Sequence, residues 1–350
     1  MTRSCKPLQP SHLHVISVVS NPVRYASRYR LYRDFTARMR DAGVTHHTVE
    51  LLFGDRPCEV TQVEDPNHIQ VQSFDELWAK ENLINIGIAS LPADWEYVAW
   101  IDADVSFANP NWAVETLQQL QHHMVVQLFS HAVDLGPHHE PLQTNSGFAY
   151  MYHQGGCNPP QGAGYTPGYG KSKHSVFWHP GFAWAARREA IDHLGQLIDF
   201  AVLGSADHHM AMALIGQVER SIHRAMPRPF HDQILDWQDR AERHIQRDIG
   251  YVPGTILHNW HGKKADRRYV DRWDILVENQ FNPRTDLKRD WQGLWQLRVE
   301  SPRQIRLRDQ IRAYFRQRNE DSIDVSSIAS SCSGSVSSDP EAQESSKSGS

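Results

Sequence analysis

Cysteine is scarce in this chain. Cys5, Cys58, Cys157 and Cys332 stand far apart in 350 residues, and no C-x-x-C pair occurs. That spacing excludes a disulfide framework and a cysteine zinc knuckle, and it fits a reducing compartment. Long apolar runs are also missing. None approaches the roughly 20 residues needed to cross a bilayer, and no apolar leader of the secretory type follows Met1-Thr2-Arg3-Ser4-Cys5-Lys6. The expectation is a cytoplasmic protein without a membrane span. Excess charge of one sign is absent from most of the chain. The formal net charge is −5, and the six acids and one base from Glu320 onward account for all of it, leaving 1–319 neutral. A neutral body carries no electrostatic footprint for nucleic acid, which argues against such a partner.

What remains is the composition of an ordinary enzyme, long enough for one large α/β domain or two smaller ones. Residues 1–11 read as a disordered lead. Strand signals fall at His14–Ser20 and Thr45–Phe53, with a helix from Tyr25 to Arg40 between them. Ser73-Phe74-Asp75-Glu76 has the form of a capping box, predicting a helix from Ser73 to about Ala89. A buried strand at Trp95–Ile101, a helix at Trp112–Gln121 and a strand at Met124–Phe129 follow. This alternation implies a mainly parallel sheet flanked by helices, with its site beyond the carboxyl ends of the strands. Farther on, the pattern predicts a strand at Ser175–Ala185, helices at Ala206–Leu214 and Asp232–Arg247, a strand at Thr255–His258 and a helix at Ala265–Glu278. Residues 12–319 then form the folded body: 12–110 and 111–280 as its two functional parts, and further helices over 281–319. The serine-rich, acidic stretch 320–350 has little to bury and is expected to be disordered.

Asp102-Ala103-Asp104 is the most informative stretch. It ends the apolar run Trp95–Ile101, and residues i and i+2 of a strand share a face. Two carboxylates leaving a sheet edge together repel unless a cation lies between them, and a hard divalent ion held by oxygen is the natural one. A solvated acidic pair is the plain alternative. Leu257-His258-Asn259-Trp260-His261-Gly262-Lys263-Lys264 offers imidazoles to complete a metal shell and lysines for phosphate; a surface His pair and Lys pair would look the same. Asp207 follows Ser205 at a helix start, where the helix dipole favours any carboxylate. Its sharper reading is a general base aimed at a hydroxyl. The stretch Gly155–Lys173 is rich in glycine, proline and tyrosine. It lacks phosphate-loop spacing, since Tyr165 stands where glycine is required, and it reads as a lid over a pocket.

Taken in order, these pieces resemble the GT-A-fold nucleotide-sugar glycosyltransferases of the galactosyltransferase-like and family 2-like branches, over roughly 13–280. Lys80–Gly87 is similar to the family's helix before the metal strand, and Asp102-Ala103-Asp104 to its metal motif. His179-Pro180-Gly181-Phe182-Ala183-Trp184-Ala185 is similar to the strand behind the donor sugar. The segment from Leu194 to Asp207 is similar to the acceptor segment, with Asp207 at the position of the base. Two departures are plain: Ala206-Asp207 stands where the family carries an acidic pair, and the Trp-Gly pair that often precedes it is absent. Both leave the acceptor open.

The resemblance implies a Rossmann-like GT-A sheet and an inverting transfer of a sugar from a nucleoside diphosphate to a glycan or other hydroxyl acceptor, with Mn²⁺ or Mg²⁺ as the cation. Asp104 and His258 would bind the ion, with His261 the alternative imidazole and Asp102 on the metal or the ribose. Ser20 and Asn21 would frame the base, with Arg24 or Arg28 nearby. Lys80 and Asn85 would hold the nucleotide, Lys263 or Lys264 would assist at the phosphates, and Asp207 would be the base. A non-catalytic sugar- or nucleotide-binding protein on the same scaffold, and a glycosyltransferase acting on modified DNA, are the competing readings.

Overall fold

A computed structural model describes residues 8–156 and 178–324. The chain begins with strand β1 (Leu13–Ser20), helix α1 (Ala26–Asp41), β2 (Thr45–Phe53), β3 (His68–Ser73), α2 (Lys80–Ala89) and β4 (Tyr97–Ile101). A short β5 (Val105–Phe107) leads to α3 (Trp112–Gln119), β6 (Val125–Gln127), β7 (His131–Leu135), β8 (Pro141–Gly147) and α4 (Phe148–His153). Then come β9 (Trp178–His179), β10 (Ala183–Arg187), α5 (Arg188–Leu194), α6 (Ala206–Leu214), α7 (Arg228–His244), β11 (Ile249–Tyr251) and β12 (Thr255–His258). The last elements are α8 (Arg272–Glu278), α9 (Pro283–Asp286), β13 (Leu287–Arg289), β14 (Trp295–Leu297) and α10 (Pro302–Gln317).

Seven strands form a mixed, mostly parallel sheet in the order β11-β6-β10-β4-β1-β2-β3. The parallel strands β4, β1, β2 and β3 point their carboxyl ends to one edge; β10 runs antiparallel between β4 and β6. Alternation along β1 sends Ile16 to one buried cluster and Leu13 and Val15 to another, so the sheet is covered on both faces. Each such aliphatic side chain contributes about 1.5–3 kcal/mol by leaving water. Helix α2 lies close against β1 because Gly87 has no side chain: a Cβ there would stand 2.8 Å from Ile16 Cγ2.

Two pairings build the site edge. Ala183 of β10 lies opposite Ile101 of β4, so residues 178–182 arrive beside Asp102–Asp104, and the Asp102 amide donates to the Phe182 carbonyl at 2.8 Å. A second sheet, β5-β12-β7-β8-β9, sets His258 of β12 opposite both Val105 and Asp134.

The structure corrects several expectations. Ser73 ends β3 and caps no helix. Its hydroxyl accepts from the Asp75 amide, and the helix begins only at Lys80, the Trp78 amide first donating to the Val202 carbonyl. The predicted helix over Ala265–Glu278 divides into a 3₁₀ turn and α8, since Arg268 adopts a left-handed backbone (φ 45°). Helix α7 starts four residues earlier than its apolar pattern shows, at a proline-led N-terminus. Pro10 and Ser11 of the expected lead join His12 in a 3₁₀ turn. The first residues of the stretch expected to be disordered pack against the body: Glu320 is 1% exposed, and Asp321, Ser322 and Asp324 bond to Ser27, Trp260 and Lys263. The lid expected over Gly155–Lys173 lies outside the described residues apart from Gly155 and Gly156. Among the described residues, no helix is long and apolar enough to cross a membrane.

Candidate functional site

A cavity of about 250 Å³ opens at the carboxyl edge of the main sheet. The end of β1 and the start of α1 form one wall, and the N-terminus of α2 a second. The Asp102–Asp104 turn, residues 178–182 and the start of α6 make the floor. The segment after β12 and the end of the chain close the far side.

Asp104, His258 and His261 converge there, one ligand atom of each lying within 4.8 Å of the others. Asp104 Oδ2 is 2.9 Å from His261 Nε2 and 3.8 Å from His258 Nε2, and the two Nε2 atoms are 3.2 Å apart. The other carboxylate oxygen, Asp104 Oδ1, is buried with no hydrogen-bond partner. Behind His258, Nδ1 lies 2.8 Å from Asp134 Oδ1, and Asp134 is held in turn by Asn145 and Lys264. A carboxylate behind a ligating imidazole sets its tautomer and leaves Nε2 free for a metal. Burial works against ionisation of Asp104, yet the two imidazoles hold its pKa well below the usual range. At His258 burial likewise opposes the proton, and Asp104 and Asp134 together raise the pKa. One carboxylate and two imidazoles, with an orphaned carboxylate oxygen and an outer carboxylate, fit a divalent cation such as Mn²⁺ or Zn²⁺. For Mg²⁺, which favours oxygen, the fit is poorer.

Asp102 was expected on the metal or on the ribose. It turns instead to Lys80, whose Nζ stands 2.5 Å from its Oδ1. The reason is position: β4 ends at Ile101, so Asp102 and Asp104 sit in a turn and the strand rule no longer applies. Burial raises the Asp102 pKa and Asp104 adds to it, while Lys80 opposes both. Lys80 is the first residue of α2; burial disfavours its charge, but Asp102, Glu81 and Asp207 raise its pKa. Glu81, 4% exposed, was not foreseen; burial pushes its pKa up to about 8, against the pull of Lys80.

Asp207 lines the same cavity. Its Oδ1 accepts from the His208 amide at 2.8 Å, leaving Oδ2 toward Gly181, where any Cβ would collide with it. Ser205 does not cap α6. It has φ 81°, and its hydroxyl accepts from Arg272 at 2.5 Å. His179 stacks on Phe182 with centroids 3.7 Å apart, and burial holds its pKa down to about 3.

Other expected residues divide. Ser20, Asn21 and Arg28 line the cavity. Asn21 is occupied there as a clamp on α1, since its amide donates to and its carbonyl accepts from Tyr25. Arg24 is not at the cavity; its left-handed backbone (φ 66°) swings the side chain out to Glu59. Asn85 holds the Leu197–Asp199 loop through Leu197 and Asp199 rather than facing the cavity. Lys263 pairs with Asp324, and of these two neighbours it is Lys264 that lines the cavity. Glu320 was missed altogether. It pairs with Arg28 and Arg318, and its Oε2 comes within 3.7 Å of His261 Nδ1. Nothing in its serine-rich surroundings marks it.

No protein-family profile matches this sequence, and no curated protein does. Similar solved structures include a mutant Drosophila β-1,4-galactosyltransferase 7 in complex with manganese, UDP-galactose and xylobiose, at 14% identity and TM-score 0.30, over 57% of this chain and 60% of that one. Another is a protein described as a nucleotide-diphospho-sugar transferase from Desulfovibrio desulfuricans, at 10% identity and TM-score 0.29, over 88% and 98% of the chains. A third is S. aureus TarS, at 13% identity and TM-score 0.28, over 57% and 54%. The chain thus spans about 60% of the first of these.

Proposed function

We propose that this protein is a metal-dependent glycosyltransferase of the GT-A type, moving a sugar from a nucleoside diphosphate to a hydroxyl acceptor with inversion. The observation that carries the reading is the convergence of Asp104, His258 and His261 on a cavity that also holds Lys80 and Asp207. A binding protein needs a pocket but no free carboxylate beside a cation site.

Asp104, His258 and His261 would hold the cation, whose chemistry when bound is to neutralise charge on the departing diphosphate. Lys80, kept protonated and fixed by Asp102, supplies a positive charge on the cavity wall. Asp207 accepts the acceptor's hydroxyl proton on Oδ2, the oxygen that Gly181 leaves open, as the acceptor oxygen bonds to the anomeric carbon and the diphosphate leaves with the bonding electrons. The His208 amide fixes the carboxylate for that transfer. General-base help of this kind is worth roughly 10²–10⁴-fold. Residues 12–110 would contribute the nucleotide-binding part and 111–280 most of the acceptor side.

The test is nucleotide-sugar turnover, hydrolysis included, measured with Mn²⁺ and with excess chelator across a panel of donors. Turnover that requires the ion and is lost in Asp104→Ala supports the reading. Binding of nucleotide-sugars without any turnover would leave a binding protein.

A further inference from the structure

Two buried arginines in this cavity have no carboxylate in contact with them among the described residues. Arg267 and Arg272 are each 6% exposed, and among the described residues neither has a carboxylate oxygen within 4 Å. The third buried guanidinium, Arg318, is neutralised by Glu320, and the half-buried Arg303 and Arg289 are paired with Asp286 and Asp199. Arg267 and Arg272 rest on neutral acceptors instead. Arg267 donates to Tyr269 Oη at 3.0 Å and to His261 Nε2 at 2.9 Å, and its Nε is buried without a partner. Arg272 donates to Ser205 Oγ and, at 3.4 Å, to Tyr314 Oη. Tyr314 ties the two together, because its hydroxyl donates to the Arg267 carbonyl at 3.1 Å. The Arg272 guanidinium also lies over the Tyr269 ring, 5.1 Å from its centroid, which holds its plane.

A buried charge is costly unless paired. The contacts just described go to hydroxyl, ring or backbone groups, which do not cancel a charge. A guanidinium offers a planar fork that matches a phosphate edge, and two forks match a diphosphate. We propose that Arg267 and Arg272 form an oxyanion subsite that binds a phosphate or diphosphate group by itself, without the cation. The inference rests on the glycosyltransferase reading only for the source of that group. Phosphates of a sugar donor and a phosphate carried by the acceptor share this chemistry.

Inorganic pyrophosphate is the probe, titrated calorimetrically in the presence of chelator against the full chain. Binding is expected in the wild type, with at least a tenfold loss in Arg267→Gln and in Arg272→Gln and no measurable binding in the double variant. Asp104→Ala, which removes a cation ligand, is expected to leave this binding intact or tighten it. No binding in chelator, or unchanged affinity in both folded glutamine variants, overturns the subsite. If a glutamine variant fails to fold, Arg267→Lys and Arg272→Lys decide: they keep the charge and lose the fork, and undiminished affinity refutes the proposal. Titration with UMP and UDP against inorganic phosphate separates the two sources: a subsite for the donor favours the nucleotides, and one for the acceptor binds inorganic phosphate without preference. Metal-free pyrophosphate binding without any sugar turnover keeps the subsite and removes the glycosyltransferase reading; turnover without such binding does the reverse.

Discussion

Asp104 and Asp102 stand two residues apart and face different partners, one a pair of imidazoles and the other an ammonium. Their substitution should therefore separate. Asp104→Ala is expected to abolish Mn²⁺ binding, read by calorimetry, with the circular dichroism spectrum retained. Asp134→Asn removes the carboxylate behind His258 and should weaken metal binding about 10–100-fold, the loss appearing in the dissociation constant before any change in fold. At the other side of the cavity, Asp207→Asn should preserve donor affinity and lower kcat roughly 10²–10⁴-fold. Gly181→Ala crowds the same Oδ2 and should lower kcat while donor binding holds. Full turnover in Asp207→Asn would reduce Asp207 to a residue favoured by the helix dipole.

Among the elements, β1 and β2 carry a titratable weakness. His14 Nδ1 and His47 Nε2 are 2.9 Å apart, and His46 meets the Ser17 hydroxyl at 2.7 Å. Burial, followed by mutual repulsion, lowers the pKa of His46 and of His47 to about 4. The unfolded chain, titrating near 6.5, takes up these protons first. Stability is then complete above about pH 6.5 and declines as the pH falls toward 4. For His47, 7% exposed, the shift corresponds to at most about 3 kcal/mol. Urea melts at pH 7 and pH 4.5 should show the decline, and His47→Gln should flatten it. Equal midpoints at both pH values in the wild type would refute the account. Helix α2 supplies a second case. Gly87→Ala drives a methyl against Ile16 and Val49, costing about 1–3 kcal/mol and displacing Lys80 at the helix start.

At the scale of the whole molecule, the end of the chain completes the site. Glu320 bridges Arg28 and Arg318, Asp321 accepts from the amides of Ala26 and Ser27 at the start of α1, and the Trp260 indole donates to the Ser322 carbonyl. Gly262 is close beneath, a Cβ there standing 2.8 Å from Asn319 O. A chain ending at Asp324 should keep wild-type stability and turnover. One ending at Asn319 leaves two guanidinium groups short of their carboxylate and should lose about 3–5 kcal/mol, seen as a lower Tm, together with weaker metal binding through His261.

Local pattern determined much of this protein by itself. Apolar alternation and turn chemistry act over a few residues, so β2, α6 and β12 fall where their composition puts them, and the mostly parallel sheet follows from the βα alternation. The acidic strand tip, the paired histidines and the acid at a helix start were legible for the same reason: each is a short run of chemically distinctive residues. Direction was not legible. That Lys264 rather than Lys263 reaches the cavity, that Asn85 clamps a loop and that Arg24 leaves the site depend on turns and backbone angles set by distant packing. Longer separations were invisible altogether. Asp134 meets His258 across 124 positions and Arg28 meets Glu320 across 292, and such contacts exist only once the sheets have paired. Tertiary structure alone decided the placement of Asp134 behind His258, the burial of Glu81 and Glu320, and the lack of a carboxylate partner for Arg267 and Arg272 among the described residues, because burial and charge compensation belong to the folded interior and not to any stretch of chain.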